Sequence, residues 1–138
     1  MSGEAKVLQG RAQPLGRYPH FNRAGGFIFV SGTSSRNADN SHAGADILPD
    51  GSVKLDIIMQ TRSTIENIKG ILESAGAGLN DVVDITTFLI SMDDFAGYNN
   101  VYREYFTQEG PARTTVGVRQ LPHPHLLIEI KAIAYKPR

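Results

Sequence analysis

The chain has 138 residues, of which 41% are hydrophobic and 20% charged, which is the size and balance of one globular domain with its own core. Its formal net charge is zero, so there is no electrostatic case for binding nucleic acid or an anionic membrane surface. It has no cysteine, which excludes a disulfide framework, a thiolate zinc site and a thiol nucleophile, and is compatible with a cytoplasmic location.

The first ten residues, MSGEAKVLQG, lack the apolar stretch of a secretory signal. No apolar run approaches the roughly 20 residues that span a bilayer. Residues 6–9 read as a short edge strand. Residues 13–19, with two prolines around a glycine, read as a loop, in which Tyr18 can simply pack the loop onto the core. Gly25-Gly26 signals a turn. Residues 27–31, FIFVS, read as a buried strand, and Gly32 after it would let the backbone approach a ligand closely. Residues 34–52 are rich in Ser, Asn, Asp, Gly and Pro and read as loop and turn. Arg36, Asn40 and His42 are their candidate ligand-facing groups, and a solvated insertion without a role is the alternative. Asp50-Gly51 can turn a hairpin between residues 46–48 and 52–55.

Residues 56–75 read as a helix. Ile57, Ile58, Thr61, Ile65, Ile68, Ile71 and Leu72 recur at three- and four-residue steps. Asp56 is the expected N-cap and Gly76 the C-terminal stop. Glu66, Lys69 and Glu73 lie at pairing distance on the solvent side. Residues 82–90, VVDITTFLI, are strongly strand-like. A second helix begins near residue 92, with Asp93 or Asp94 as its cap. Its aromatic stripe, Phe95, Tyr98, Tyr102, Tyr105 and Phe106, reads as core packing. Residues 114–118 and 126–134 read as two further strands joined by a Pro-rich connection. In the last one Glu129 and Lys131 share one face and Ile128, Ile130 and Ala132 the other. The order β, β, hairpin, α, β, α, β, β is that of an α+β domain with two helices on one face of a mixed sheet. The opposite face would still need covering, and oligomerisation is one way to do it.

Several chemistries can be set aside. His123 and His125 form an H-P-H pair with no acidic or Cys ligand pattern around it, so no metal site is expected there. No serine sits in a G-x-S-x-G elbow, and no Gly-rich phosphate loop precedes a helix, so no nucleotide or flavin cofactor is expected. Arg113 and Glu129 remain. An arginine fork matches a carboxylate in bidentate fashion, and a desolvated glutamate can serve as acid or base near neutral pH. A structural Arg–Glu bridge between neighbouring strands is the alternative.

Pro111-Ala112-Arg113-Thr114-Thr115-Val116, then Leu121-Pro122, then Ile128-Glu129-Ile130-Lys131-Ala132-Ile133-Ala134 resembles the C-terminal signature of the RidA/YjgF family of imine and enamine deaminases. Asp94-Phe95-Ala96 with Asn99 and Tyr102, Tyr18, and Ser31-Gly32 match further family segments. The resemblance implies a chorismate mutase-like RidA fold for one domain spanning residues 1–138, assembled as a homotrimer around a central barrel with ligand sites between subunits. It implies hydrolysis of a small carboxylate-bearing enamine or imine without a cofactor. Arg113 would clamp the carboxylate, Glu129 would activate water, and Tyr18, Ser31, Asn99 and Thr115 would shape the pocket. Thr115 stands where many members have cysteine, and Lys131 where a second glutamate is common. The long 34–52 segment resembles the 2-aminomuconate deaminase branch, acting in bacterial catabolism of aromatic compounds. A substrate with two carboxylates needs a second cation, for which Arg36, Arg17, Arg119 or a loop histidine are candidates. A general 2-iminobutanoate/2-iminopropanoate deaminase that removes 2-aminoacrylate, or a non-catalytic ligand-binding trimer, are the alternatives. Neither nucleic acid nor membrane is an expected partner.

Overall fold

The computed structural model describes residues 3–138. Ten main elements follow in order: β1 (Glu4–Lys6), β2 (Phe21–Ala24), β3 (Phe27–Thr33), β4 (Ala45–Ile47), β5 (Val53–Leu55), α1 (Ile57–Ser74), β6 (Val82–Leu89), α2 (Phe95–Tyr105), β7 (Ala112–Gly117) and β8 (Ile128–Tyr135). Six strands form one sheet in the order β1-β2-β3-β8-β6-β7, and β4 with β5 forms a separate hairpin. All neighbours in the large sheet run antiparallel except β6 and β7. That parallel pair needs a crossover connection, which α2 supplies. The mixed sheet with two helices is the architecture read from the sequence.

The alternation in β8 decides which face is the core. Ile128, Ile130, Ala132 and Ala134 are fully buried. They pack with Ile28, Val30, Ile85 and Leu89 of the sheet, Ile65, Ile68 and Leu72 of α1, and Tyr98 of α2. Glu129 and Lys131 lie on the opposite, open face. Phe27, Phe29, Val83, Val116 and Tyr135 are also exposed there, so four strands carry apolar side chains outward.

Local chemistry explains the boundaries and several departures from the sequence reading. The Asp56 carboxylate accepts the Met59 amide at 3.2 Å, capping α1, and Gly76 follows its end at φ 82°. The second helix is entered differently from expectation. Ser91, not Asp93 or Asp94, makes the side-chain cap, accepting the Asp93 amide at 3.1 Å ahead of one 3-10 turn. Among the described residues Lys69 forms no ion pair with Glu66 or Glu73; Glu66 instead accepts the Tyr105 hydroxyl at 2.9 Å, tying α1 to α2. The edge strand lies at Glu4–Lys6 rather than 6–9. The sequence reading missed β2 altogether. Its Phe21 and Arg23 are both buried, and the Arg23 guanidinium donates to the carbonyls of Lys136 and Ala75, each at 2.8 Å. A buried arginine satisfied by carbonyls hides a strand inside a polar-looking sequence. None of the helices among the described residues is long and apolar enough to cross a membrane.

Candidate active site

A cavity of about 210 Å³ opens where β3 parts from β8, at the register shift between Val30 and Thr33. Tyr18, Ser31, Arg36 and Glu129 all line it, together with Gly32, Asn67, His42 and His123. Four segments distant in sequence thus converge: the 10–20 loop, the end of β3 with the following insertion, α1, and residues 122–129 leading into β8.

Glu129 projects across Gly32. A Cβ on residue 32 would sit 2.6 Å from the Glu129 carboxylate, so glycine there makes the space the carboxyl occupies. Burial pushes the Glu129 pKa above its ordinary value, as expected when a carboxylate loses water without gaining a cation. No ion pair among the described residues involves Glu129 or Arg113. Tyr18 stands at the lip, 46% exposed, rather than packed into the core. The Ser31 hydroxyl donates to the Pro19 carbonyl at 2.7 Å and its amide to the His20 carbonyl at 3.0 Å, so Ser31 fixes the loop that carries Tyr18. His20 is a satisfied structural histidine. Its Nδ1 accepts the Leu8 amide and its Nε2 meets the Ala12 carbonyl, both at 2.9 Å.

Arg36 is held in place from both sides. One guanidinium nitrogen donates to Asn40 Oδ1 at 2.6 Å and the other to the Gln13 carbonyl. Asn40 therefore supports Arg36 from outside the cavity. Asn67 of α1 donates to the Ser34 carbonyl at 2.9 Å, anchoring the same loop. The 34–52 insertion is structured, with an isolated bridge between Arg36 and His42 and the β4–β5 hairpin.

Arg113, Asn99 and Thr115 form a second group, away from this cavity. β6 lies between β7 and β8, so Arg113 is not on the strand next to Glu129 as the sequence reading placed it. Arg113 pairs with Ile85 and faces the helices; Glu129 pairs with Phe88 and faces the open side. Two interstrand steps and three residues of offset separate their Cα atoms by about 14 Å. Within one protomer the two side chains do not meet. The reason is topological: β6 enters the sheet between two strands that follow it in sequence.

Arg113 is held by α2. Its Nη1 donates to Asn99 Oδ1 at 2.8 Å, and its guanidinium carbon lies 4.6, 5.1 and 5.7 Å from the ring centres of Tyr102, Tyr98 and Phe95. The aromatic stripe is core packing, as expected, but it is also a cation–π box around a guanidinium. Only the parallel pairing of β6 and β7 brings the two together. Burial, with Tyr98 beside it, pushes the Tyr102 hydroxyl up to about 12, so the ring stays neutral beside the cation. The buried Thr115 hydroxyl has no partner among the described residues. A half-buried cation without a counter-charge is suited to hold a carboxylate.

The fold also adds a third histidine to the H-P-H pair. Ligand atoms of His42, His123 and His125 lie within 4.8 Å of one another.

Comparison with known proteins places this chain in a family. Residues 9–136 match the family model described as Endoribonuclease L-PSP. A RutC family protein of Pyrococcus abyssi is 43% identical over 136 residues, covering 99% of both chains. The 3-aminoacrylate deaminase RutC of Acinetobacter baylyi is 36% identical, covering 98% of this chain and 99% of that one. The YjgF gene product of E. coli superimposes with a TM-score of 0.78 at 31% identity, covering 96% of this chain and 98% of that one.

Proposed function

The chain belongs to the RidA/YjgF family, and on that premise we propose that it is an enamine/imine deaminase, a hydrolase of C–N bonds whose site is completed between two copies of the chain. The observation that carries this reading is the Glu129 carboxyl, half-buried in the cavity, in no ion pair among the described residues and with its pKa raised by burial. Such a group holds its proton to higher pH than an ordinary carboxyl does, which suits it to acid–base work.

The substrate class follows from Arg113. A carboxylate next to the reactive carbon would lie in its fork, fixing the distance to Glu129 of the adjacent copy. The acid form of Glu129 protonates the enamine carbon, giving the iminium ion and leaving Glu129 as the carboxylate. Glu129 takes a proton from water as the water oxygen bonds to the imine carbon. That proton passes to the nitrogen, the C–N bond breaks as the new hydroxyl returns its proton to Glu129, and ammonia leaves with an oxo acid behind. Orientation and general acid–base work supply the acceleration. Tyr18 and Ser31 shape one wall; Asn99 and Thr115 support the arginine side. Zero net charge favours this small-molecule reading over the nuclease in the family's description.

The finer assignment is 2-aminomuconate, giving 4-oxalocrotonate and ammonia. Arg36 supports it, because a second cation held rigidly in the Glu129 cavity suits a substrate with a carboxylate at each end. Turnover of 2-aminoacrylate but not of the six-carbon diacid would move the assignment to a general imine deaminase.

The two half-sites face different directions, so a closed ring of identical contacts would bring each Arg113 to the next copy's Glu129. A trimer is the ring we propose. The test is ammonia release by Arg113→Ala, by Glu129→Gln and by the two variants dissociated and reassembled together. Each alone should lose about 100-fold or more in kcat/KM. The mixture should regain roughly a quarter of the wild-type sites, the share in which a ring combines both intact halves. Full activity in either variant alone would refute the residue roles; no recovery on mixing would refute the shared site.

A further inference from the structure

We infer that His42, His123 and His125 form a binding site for a divalent transition ion of the zinc class. Their ligand atoms lie within 4.8 Å of one another. Metal–nitrogen bonds of about 2.1 Å in tetrahedral geometry put ligand nitrogens about 3.4 Å apart, so modest ring rotations close the set. Three imidazoles suit zinc, nickel or copper and do not suit magnesium or calcium.

A second observation points to a ligand. The His42 Nε2 is buried and has no hydrogen-bond partner among the described residues. Buried polar nitrogens are ordinarily satisfied, and an orphan is costly. A metal bond at that nitrogen removes the deficit.

The backbone beneath the three rings is pinned. Gln60, fully buried in α1, donates to the carbonyls of His125 at 2.8 Å and Gly44 at 3.2 Å, and its Oε1 accepts the Leu127 amide at 2.8 Å. Ser35 and Ala43 exchange two further bonds, at 2.8 and 3.1 Å. One glutamine therefore fastens the insertion to the H-P-H loop on either side of the cluster. His123 Nδ1 accepts the His125 amide at 3.0 Å. Ligation by His123 exchanges that turn bond for the metal bond, at Nδ1 itself or at Nε2 after the ring proton moves.

Charge identifies the fourth ligand. Three neutral imidazoles do not compensate a dication, and Arg36 adds positive charge beside His42. The fourth position, otherwise taken by water, therefore favours an anion such as a carboxylate or hydroxide. His42 and His123 both line the cavity, so that position opens to a carboxylate bound there. The inference does not depend on the deaminase reading.

The test is calorimetric titration of tag-free, chelator-treated, dialysed protein with zinc chloride, nickel chloride and magnesium chloride. Zinc and nickel should saturate at one ion per chain and raise the melting temperature; magnesium should give no heat. His42→Ala and His125→Gln, each with an unchanged far-ultraviolet dichroism spectrum, should weaken zinc binding by more than the roughly 100-fold that loss of an outer-shell partner costs. The cobalt(II) form should show visible bands that shift when succinate is added. No saturable binding of zinc, or binding that survives His42→Ala unchanged, would overturn the site. Cobalt bands unmoved by succinate would overturn the open fourth position.

Discussion

At the scale of single residues, Glu129 has the most measurable consequence. Burial raises its pKa above 4.5. Its protonated form is therefore favoured by the fold, and this stabilisation is fully present below pH 4.5, the ordinary value. It is lost as pH rises through the folded-state pKa. Glutamine carries no such ionisation. The melting temperature of Glu129→Gln minus that of the wild type should increase between pH 4 and pH 8. A difference that shrinks over that range would mean that the carboxylate is paired rather than merely desolvated. The sequence showed that a carboxylate sat in an apolar strand, because strand alternation is a two-residue rule. It could not show that Gly32, almost a hundred residues upstream, clears the space for it.

At the scale of elements, the insertion after β3 depends on Gly44. That residue adopts φ 76°, and a Cβ there would lie 2.5 Å from Gln60 Cγ and 2.8 Å from the Asp56 carbonyl oxygen. The backbone of α1 cannot retreat without breaking its first turn. Gly44→Ala should cost about 2 kcal/mol or more in urea unfolding, the left-handed penalty plus the clash. A cost below about 0.5 kcal/mol, the range of an ordinary surface change, would show the loop is not anchored there. The composition of residues 34–52 marked a loop but not a rigid one. Its rigidity comes from Gln60, which sits on the buried side of a helix whose apolar periodicity gave no reason to single out a polar residue.

At the scale of the whole molecule, the open face of the sheet is unfinished in one protomer. Phe29 is 37% exposed there, between Phe27 and other apolar side chains of neighbouring strands. Burying such a surface against copies of itself is the economical solution. Phe29→Glu should leave the far-ultraviolet dichroism intact, since the residue points away from the core. It should convert the proposed trimer to single copies in light scattering and abolish the proposed deaminase activity. A trimer that survives this substitution would move the interface elsewhere.

Read as a string, the chain was enough to establish the helices, most of the strands, the two faces of β8 and the family. Those features rest on local periodicity and contiguous motifs, which neighbouring residues determine. Sheet order, the separation of Arg113 from Glu129, the cation–π box and the three-histidine cluster were decided only by tertiary structure. Each depends on which distant segments pair, and pairing between them is set by burial of the whole core rather than by any local pattern.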